Sequence, residues 1–549
     1  MTTATTTSPD RSPRELEAVL VDVYRRRLSA RADTARPKRD AEEVARAILD
    51  GVRAHRRHGD GAADASCLAL TLVGRTVAAA TAGTPRDARF RRDVLEALLR
   101  DSDVVSRMVA EFGCEHQVLR HLAAKSASAC VLYQLQVSGA VNPAWRGTCE
   151  RALLSLPAGP ELDSCLWSLT FVLRKLLRDR RQELVGTLVT IFHASVGAAA
   201  RRFLSADRSA RDAGAVADTF CLLLDLLEIL AASGTGTDLT HVHAAALLAA
   251  VNRAPRYFVG KRLALLLKRA ALRKAGEDWL DAAPESGADV GVLAAAVWDA
   301  VAADWLPSVR VESPAFFGGT SRAKGGGEDG RCDAVMLRAV GLLVIKSVQH
   351  HAAATPSGAR EHLAGLWRFL RDKGVRPTDA AHDCAVLPLL FGEQDDDLME
   401  AAQASLLIFL RLRDGSAPPD DPCAAGCNPH CHFLLLLRAV RWDHRILLDF
   451  LMSAETRFLE YLLRYLRYLS TDRRGFAASC RRLDAEAPRG RDGREGRRTG
   501  EDASGRAARD CLLRLRLLLA RLHGKKLFPY KADALLRLLA RAAPPLGPD

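Results

Sequence analysis

The run "CAAGCNPHCH" places Cys423, Cys427, His430, Cys431 and His432 within ten positions, 423–432. Thiolate and imidazole are the donors from which zinc builds a tetrahedron, so the chemistry this run offers is metal binding. Its spacing works against a self-contained site. There is no C-x-x-C pair and no distant second pair, and donors packed this closely do not readily surround one ion. The candidate ligands are therefore Cys423, Cys427, His430 and Cys431, closed by a residue from elsewhere such as His350 and His351 or Cys384. In the simpler reading the run is a Pro/Asn turn whose small cysteines pack under the next helix. On that reading no metal and no cofactor is expected.

Other constellations are poorer. Asp443, His444, Asp449 and Ser453 in "WDHRILLDFLMS" are the residue types of a hydrolytic triad, but no G-x-S-x-G elbow accompanies them. Asp443 and His444 read as the start of a helix. "VGKR" and "HGKKL" lack the first Gly and the Ser/Thr of a phosphate-binding loop, and "GGTSRAKGGGEDG" follows no strand. The chain is not expected to be an enzyme.

One helix stands out by charge. "RAPRYFVGKRLALLLKRAALRKAGEDW" (253–279) carries eight basic residues before its first acid. Leu263, Leu266, Leu267 and Ala270 form its apolar face, with Lys261, Arg262, Lys268, Arg269 and Arg273 on the other side. Leu265 and Leu272 lie among those cations, where a purely solvated face would not place them. This face is the candidate partner-binding surface. A protein partner fits better than nucleic acid, because no aromatic stacking residues are interleaved. Nucleic-acid binding by the basic helices around 253–274 is the alternative. The net charge of +13 is a diluted signal, since 12 of the 79 basic residues are Lys and the rest Arg, spread along solvated faces.

The elements that position these groups are helices. Ala, Leu and Arg dominate, aromatics are 6%, and no alternating β-branched runs occur. We expect an all-α chain, an irregular α-solenoid of HEAT/armadillo-like helix pairs with a short C-terminal helical unit. The expected order is a disordered tail (1–13), an N-terminal helical repeat region (14–306), a Gly-rich loop (307–331) and a continuing helical region (332–470). A flexible charged linker (471–510) and a C-terminal unit (511–546) complete it. Thirteen irregularly spaced cysteines do not form a disulfide framework. The N-terminus lacks a signal-peptide core, and no run reaches the ~18 apolar residues of a membrane span. A monomer in a reducing compartment, without membrane attachment, follows as the expectation.

The best-patterned segment is "FLLLLRAVRWDHRILLDFLMSAETRFLEYLLRYLRYLS" (433–470). Its polar residues Arg457, Glu460, Arg464 and Arg467 recur every three or four positions, opposite Phe458, Leu462, Tyr465, Leu466 and Leu469. Ile446, Leu447, Phe450 and Leu451 supply a second apolar face. Ser453 is the expected N-cap of the second helix, with Glu455 in its first turn. The wording of this block resembles the Lines family of animal proteins. Asp449, Phe450, Glu455, Phe458, Glu460, Tyr461 and Tyr465 are among the matching residues. The C-terminal "LFPY" (Leu527, Phe528, Pro529, Tyr530) is similar to that family's terminal signature, although Lys531 and Ala532 replace its Asn-Pro. The resemblance implies a helical, non-enzymatic protein connected with Wnt/Wingless signalling. It would act through signalling or transcription regulators, in the cytoplasm and nucleus. The "LFPY" segment is expected to dock against the remaining helices, covering Phe528 and Tyr530.

Overall fold

In a computed structural model, the structure describes residues 12–28, 38–82, 85–100, 104–204, 213–233, 241–254, 256–272, 288–312, 332–377, 382–414, 421, 423–453, 456–485 and 502–542. Among them every regular element is a helix. The chain divides into two compact units at His243/Ala244, so the expected single region 14–306 takes in nearly all of the first and the start of the second.

The first unit holds α1 (Pro13–Asp22), α2 (Lys38–His58), α3 (Ala63–Ala82), α4 (Pro85–Arg100), α5 (Val104–Ala110), α6 (Gln117–Ser138), α7 (Pro143–Ser155), α8 (Pro160–Arg178), α9 (Gln182–Leu204) and α10 (Ala213–Ser233). Helices α3, α6, α8 and α10 pack successively in one layer, and α2, α5, α7 and α9 in a second. That is the stacking of helix pairs in a solenoid. Helix α7 was not anticipated. Its cap is Asn142, whose side chain accepts from Ala144 N (3.1 Å) and Trp145 N (3.2 Å), with Pro143 at the first helical position. Trp145 is fully buried and donates to Ser168 Oγ at 2.8 Å.

By length and hydropathy alone, residues 40–81 and 182–204 would suffice to cross a bilayer, contrary to the expectation from run length. Buried residues make up 56% and 50% of their most apolar windows, as in core helices of a stacked fold.

The second unit holds α11 (Ala244–Arg253), α12 (Tyr257–Ala271), α13 (Ala288–Ala302), α14 (Trp305–Ser308), α15 (Ala334–His351), α16 (Pro356–Asp372), α17 (Val386–Phe391), α18 (Asp395–Asp414), α19 (Pro429–Ala439), α20 (His444–Met452), α21 (Phe458–Thr471), α22 (Arg473–Ala485), α23 (Ala503–Gly524) and α24 (Asp533–Ala542). Helices α12, α15, α18, α21 and α24 pack one on the next. Ion pairs run along this layer. Lys261 Nζ meets Asp333 Oδ2 at 2.6 Å, and Lys268 Nζ meets Asp397 Oδ1 at 2.5 Å. Glu400 takes both Lys346 (2.9 Å) and Arg457 (3.1 Å). Asp333 also caps α15 through Val335 N and Met336 N, so its carboxylate serves a helix end and a neighbouring helix together.

The 433–470 block folds as the expected hairpin, α20 against α21. Phe458, Tyr461, Leu462, Tyr465 and Leu466 are buried, and Arg464 reaches Glu460 at 3.2 Å on the outside. Two details differ. Ser453 ends α20 instead of starting α21, its N–H bonding Asp449 O, and α21 begins at Phe458. Ile446 lies at the surface at 36% exposure while Leu447 and Leu451 are buried, so the inner stripe of α20 is narrower than its apolar content.

Of the span 471–510 expected as a linker, residues 473–485 and 503–510 are helical, and 486–501 lie outside the described residues. Asp472 Oδ1 accepts from Gly475 N at 2.9 Å and opens α22, whose Ser479, Cys480 and Leu483 are buried. At the C-terminus α24 packs on α21 and α23. Phe528 is buried as expected, but Leu527 (60%) and Tyr530 (39%) are exposed. The turn inserts one side chain of "LFPY" and leaves its neighbours outside.

Candidate metal centre

The turn preceding α19 is built to a fixed shape. Cys423 N donates to Asp421 Oδ1 (3.0 Å), and Gly426 N donates to Cys423 O (2.8 Å). Gly426 sits at φ +65, where a Cβ would lie 2.6 Å from Trp367 Nε1 of α16, so only glycine fits. The indole in turn donates to Ala425 O at 2.9 Å. Asn428 then caps α19 by accepting from His430 N at 3.0 Å, while its amide nitrogen donates to Cys423 Sγ at 3.2 Å. One side chain thereby starts the helix and holds the thiol.

A second turn faces this one. Residues Asp383–Ala385 form a short 3-10 turn packed on α17 and α19, with His382 before it. Arg371 of α16 holds Asp383 at 2.5 Å. The two turns bring His382, Cys384, Cys423 and Cys431 together, one donor atom from each lying within 4.8 Å of every other. Cys423 Sγ and Cys431 Sγ are 3.6 Å apart. The three cysteines are 0%, 5% and 3% exposed in chain order, so the cluster is closed to solvent on its thiol side.

The structure thus divides the sequence-derived ligand set. Cys423 and Cys431 converge, and Cys384 is the completing residue from elsewhere that the spacing called for. Cys427 and His430 are not among the four. Cys427 is buried apart from the cluster, and burial pushes its thiol up to about 12. His430 lies one residue before Cys431, which on a helix is a rotation of ~100°. Its Nδ1 lies 3.2 Å from the Tyr465 hydroxyl, its Nε2 lies 3.4 Å from Asp472, and its ring stacks on Tyr468. His350 and His351 belong to the end of α15, where His351 Nδ1 bonds Ser347 O. His382 was missed. The available signal was the H-x-C spacing of "HDC", a pair of donors on one turn.

The electrostatics of the cluster are those of thiols sharing negative charge. Hydrogen bonds from Cys384 and Cys431 hold the Cys423 thiol far below its ordinary range despite burial, with His382 and Asn428 adding to the effect. Burial pushes Cys384 well up. For His382 burial opposes the charged ring, but Cys423 and Cys431 outweigh it and raise the imidazole to about 10. Burial lowers the neighbouring His432 to about 4.

The partner-binding candidates on α12 separate as well. Lys261 and Lys268 are engaged by Asp333 and Asp397, which removes them from a free docking face. Arg269 is exposed, Arg262, Leu265 and Leu272 are half-buried, and Arg273 lies outside the described residues, as does Glu455 of the hairpin block. Phe258, one turn before Arg262, is 46% exposed and completes the outward stripe.

Residues 168–480, which contain the whole cluster, match the family model described as Lines N-terminus, and residues 508–542 match Lines C-terminus. The chain belongs to the Lines family. Protein Lines homolog 1 of Homo sapiens is 29% identical over 432 residues, covering 72% of this chain and 57% of the human protein. The Mus musculus homolog is 30% identical over 435 residues, covering 71% and 56%. Protein lines of Drosophila melanogaster is 34% identical over 160 residues, covering 29% and 17%. This Lines-family chain therefore spans little more than half the length of the mammalian relatives it matches. A solved structure titled "Circular tandem repeat protein with novel repeat topology and enhanced subunit contact surfaces" aligns over 92% of the chain at 13% identity with a TM-score of 0.21. A likeness of that size adds nothing to the fold read from the helices themselves.

Proposed function

We propose that the chain is a non-enzymatic, monomeric interaction scaffold of Wnt/Wingless-type developmental signalling, acting on transcription through protein partners in the cytoplasm and nucleus. Membership in the Lines family carries this reading. The surface we assign to the partner is the outward stripe of α12, with exposed Phe258 and Arg269 around half-buried Leu265 and Leu272. Apolar anchors about two turns apart, bordered by cations, suit an amphipathic helix with acidic flanks. The nucleic-acid alternative loses its footing here, because two of the lysines that would face phosphates are held by Asp333 and Asp397.

The test is rescue of a Wnt-responsive transcription reporter in cells lacking the endogenous protein. Wild-type chain restores the output, and the Phe258→Asp/Arg269→Glu double variant, expressed to the same level with an unchanged circular-dichroism spectrum, does not. An output unaffected by deletion of the protein would sink the signalling reading. Full rescue by the double variant would remove α12 as the docking surface.

A further inference from the structure

We infer that His382, Cys384, Cys423 and Cys431 bind one structural zinc ion. The donor set is three thiolates and one imidazole, a combination that zinc takes in closed four-coordinate sites. A tetrahedron with bonds of roughly 2.3 Å has edges of about 3.8 Å. The 3.6 Å between Cys423 Sγ and Cys431 Sγ is such an edge, far longer than the ~2.05 Å of a disulfide. All four donor atoms fall within 4.8 Å of one another, close enough to surround a single ion.

The surroundings are those of a held site. Asn428 Nδ2 donates to Cys423 Sγ, and Asn428 is itself fixed as the cap of α19. Ligand thiolates are oriented by such outer donors. The opposite turn is fixed by Arg371 on Asp383, between His382 and Cys384. Trp367 clamps the first turn at Ala425, so α16 supplies a support to both halves. With all three sulfurs buried and four protein ligands present, no position is left for substrate. The role is to join the turn before α17 to the turn before α19, bridging the chain across α17 and α18. A soft thiolate-rich tetrahedral set favours zinc over magnesium, calcium or manganese, whose ligands are oxygens.

The site does not depend on the partner surface of α12 or on the signalling role. Purified full-length chain, expressed with zinc supplied and kept reduced without chelator, would be assayed by elemental analysis. We expect one zinc per chain, and a tetrahedral thiolate visible spectrum when cobalt replaces it. Cys423→Ser and Cys431→Ser reduce zinc to a small fraction of an equivalent, while Cys427→Ser, a buried cysteine of the same turn, keeps the full equivalent. Should the serine variants fail to fold, alkylation of the wild-type chain decides. Cys384, Cys423 and Cys431 are protected when zinc is present and react after a chelator removes it. Wild-type chain without zinc and without a cobalt thiolate spectrum overturns the inference. So does full zinc retention in the Cys423→Ser/Cys431→Ser double variant, or a Cys423–Cys431 disulfide in chain isolated from cells.

Discussion

Among the described residues, two places gather histidine and cysteine with other metal-binding side chain types, and they do so for different physical reasons. In the second unit His382, Cys384, Cys423 and Cys431 converge from two facing turns. In the first, His55, Glu111 and Cys114 meet where the end of α2 reaches the segment after α5. There the carboxylate already has a counter-charge in Arg56. Arg56 Nε lies 2.7 Å from Glu111 Oε1, and His55 Nδ1 lies 3.3 Å from Oε2. Arg56 also donates to Ala110 O, so its guanidinium ties the last turn of α2 to the end of α5. The only sulfur, Cys114, stands 3.9 Å from His55 Nε2. This group is a buried carboxylate paired with Arg56 of a neighbouring helix, with the His55 ring beside it. Histidine and cysteine occur in both, but a carboxylate with a resident arginine makes an ion pair in one unit, and three thiols make a cluster of soft donors in the other.

The sharpest way to break the contrast is to disturb the backbone that shapes the thiol cluster. Gly426→Ala adds a Cβ that would lie 2.6 Å from Trp367 Nε1 and 3.2 Å from Asp383 Cβ, at φ +65. Left-handed strain of ~1–2 kcal/mol and a core clash of ~1–3 kcal/mol, less the ~0.4–1 kcal/mol recovered through the reduced freedom of the unfolded chain, leave a loss of about 3 kcal/mol. Urea unfolding of the full chain would read it, together with a fall in bound zinc. A loss under ~1 kcal/mol would mean that the indole yields easily and that the turn is not locked by Trp367.

The next effect belongs to the other cluster. Glu111→Gln keeps the shape of a side chain that is 4% exposed and removes its charge. The hydrogen bond from Arg56 is charge-assisted, a class worth about 2 kcal/mol when the acceptor is buried. Arg56 is itself 59% exposed, so its abandoned charge is largely solvated and the ~3–5 kcal/mol cost of a fully buried broken pair is not reached. Urea unfolding should therefore show a loss of about 2 kcal/mol with zinc content unchanged. A fall in zinc would show that this group also takes the metal, and the distinction drawn between the clusters would be lost.

How much of this was legible in the sequence follows from where the interactions reach. Helical period along 458–469 named the buried face of α21, because period is a local property. The partner of Lys261 lies 72 residues away and that of Lys268 lies 129 residues away, so the charged side of α12 read as solvent-facing when half of it crosses to other helices. Density of donors in 423–432 shows that a completing residue must come from elsewhere, but not which of the five donors converge. Once Pro429 starts α19, neighbouring residues turn to different sides, and His430 goes to Tyr465 while Cys431 goes to the cluster. His382 became visible only when a separate turn packed on α19. The stretch 471–485 looked like linker from its charge. The spacing of Ser479, Cys480 and Leu483 was the apolar signal that its arginines obscured.

The smallest effect isolates what makes Gly426 special. Gly59 precedes Asp60, whose carboxylate lies 3.5 Å from His55 Nε2 of the first cluster; it has nearly the same φ, +69, but a Cβ there would meet nothing within 4 Å. Gly59→Ala keeps the left-handed strain of ~1–2 kcal/mol and escapes the clash. It also recovers ~0.4–1 kcal/mol through the reduced freedom of the unfolded chain. The net loss is about 1 kcal/mol or less, and urea unfolding of the two glycine variants side by side should differ by about 2 kcal/mol. Since their φ values match, that difference measures the contact with Trp367 and Asp383 rather than the left-handed strain. Equal losses would mean that backbone strain alone accounts for Gly426. The indole would then be a neighbour of the thiol cluster and no part of what shapes it.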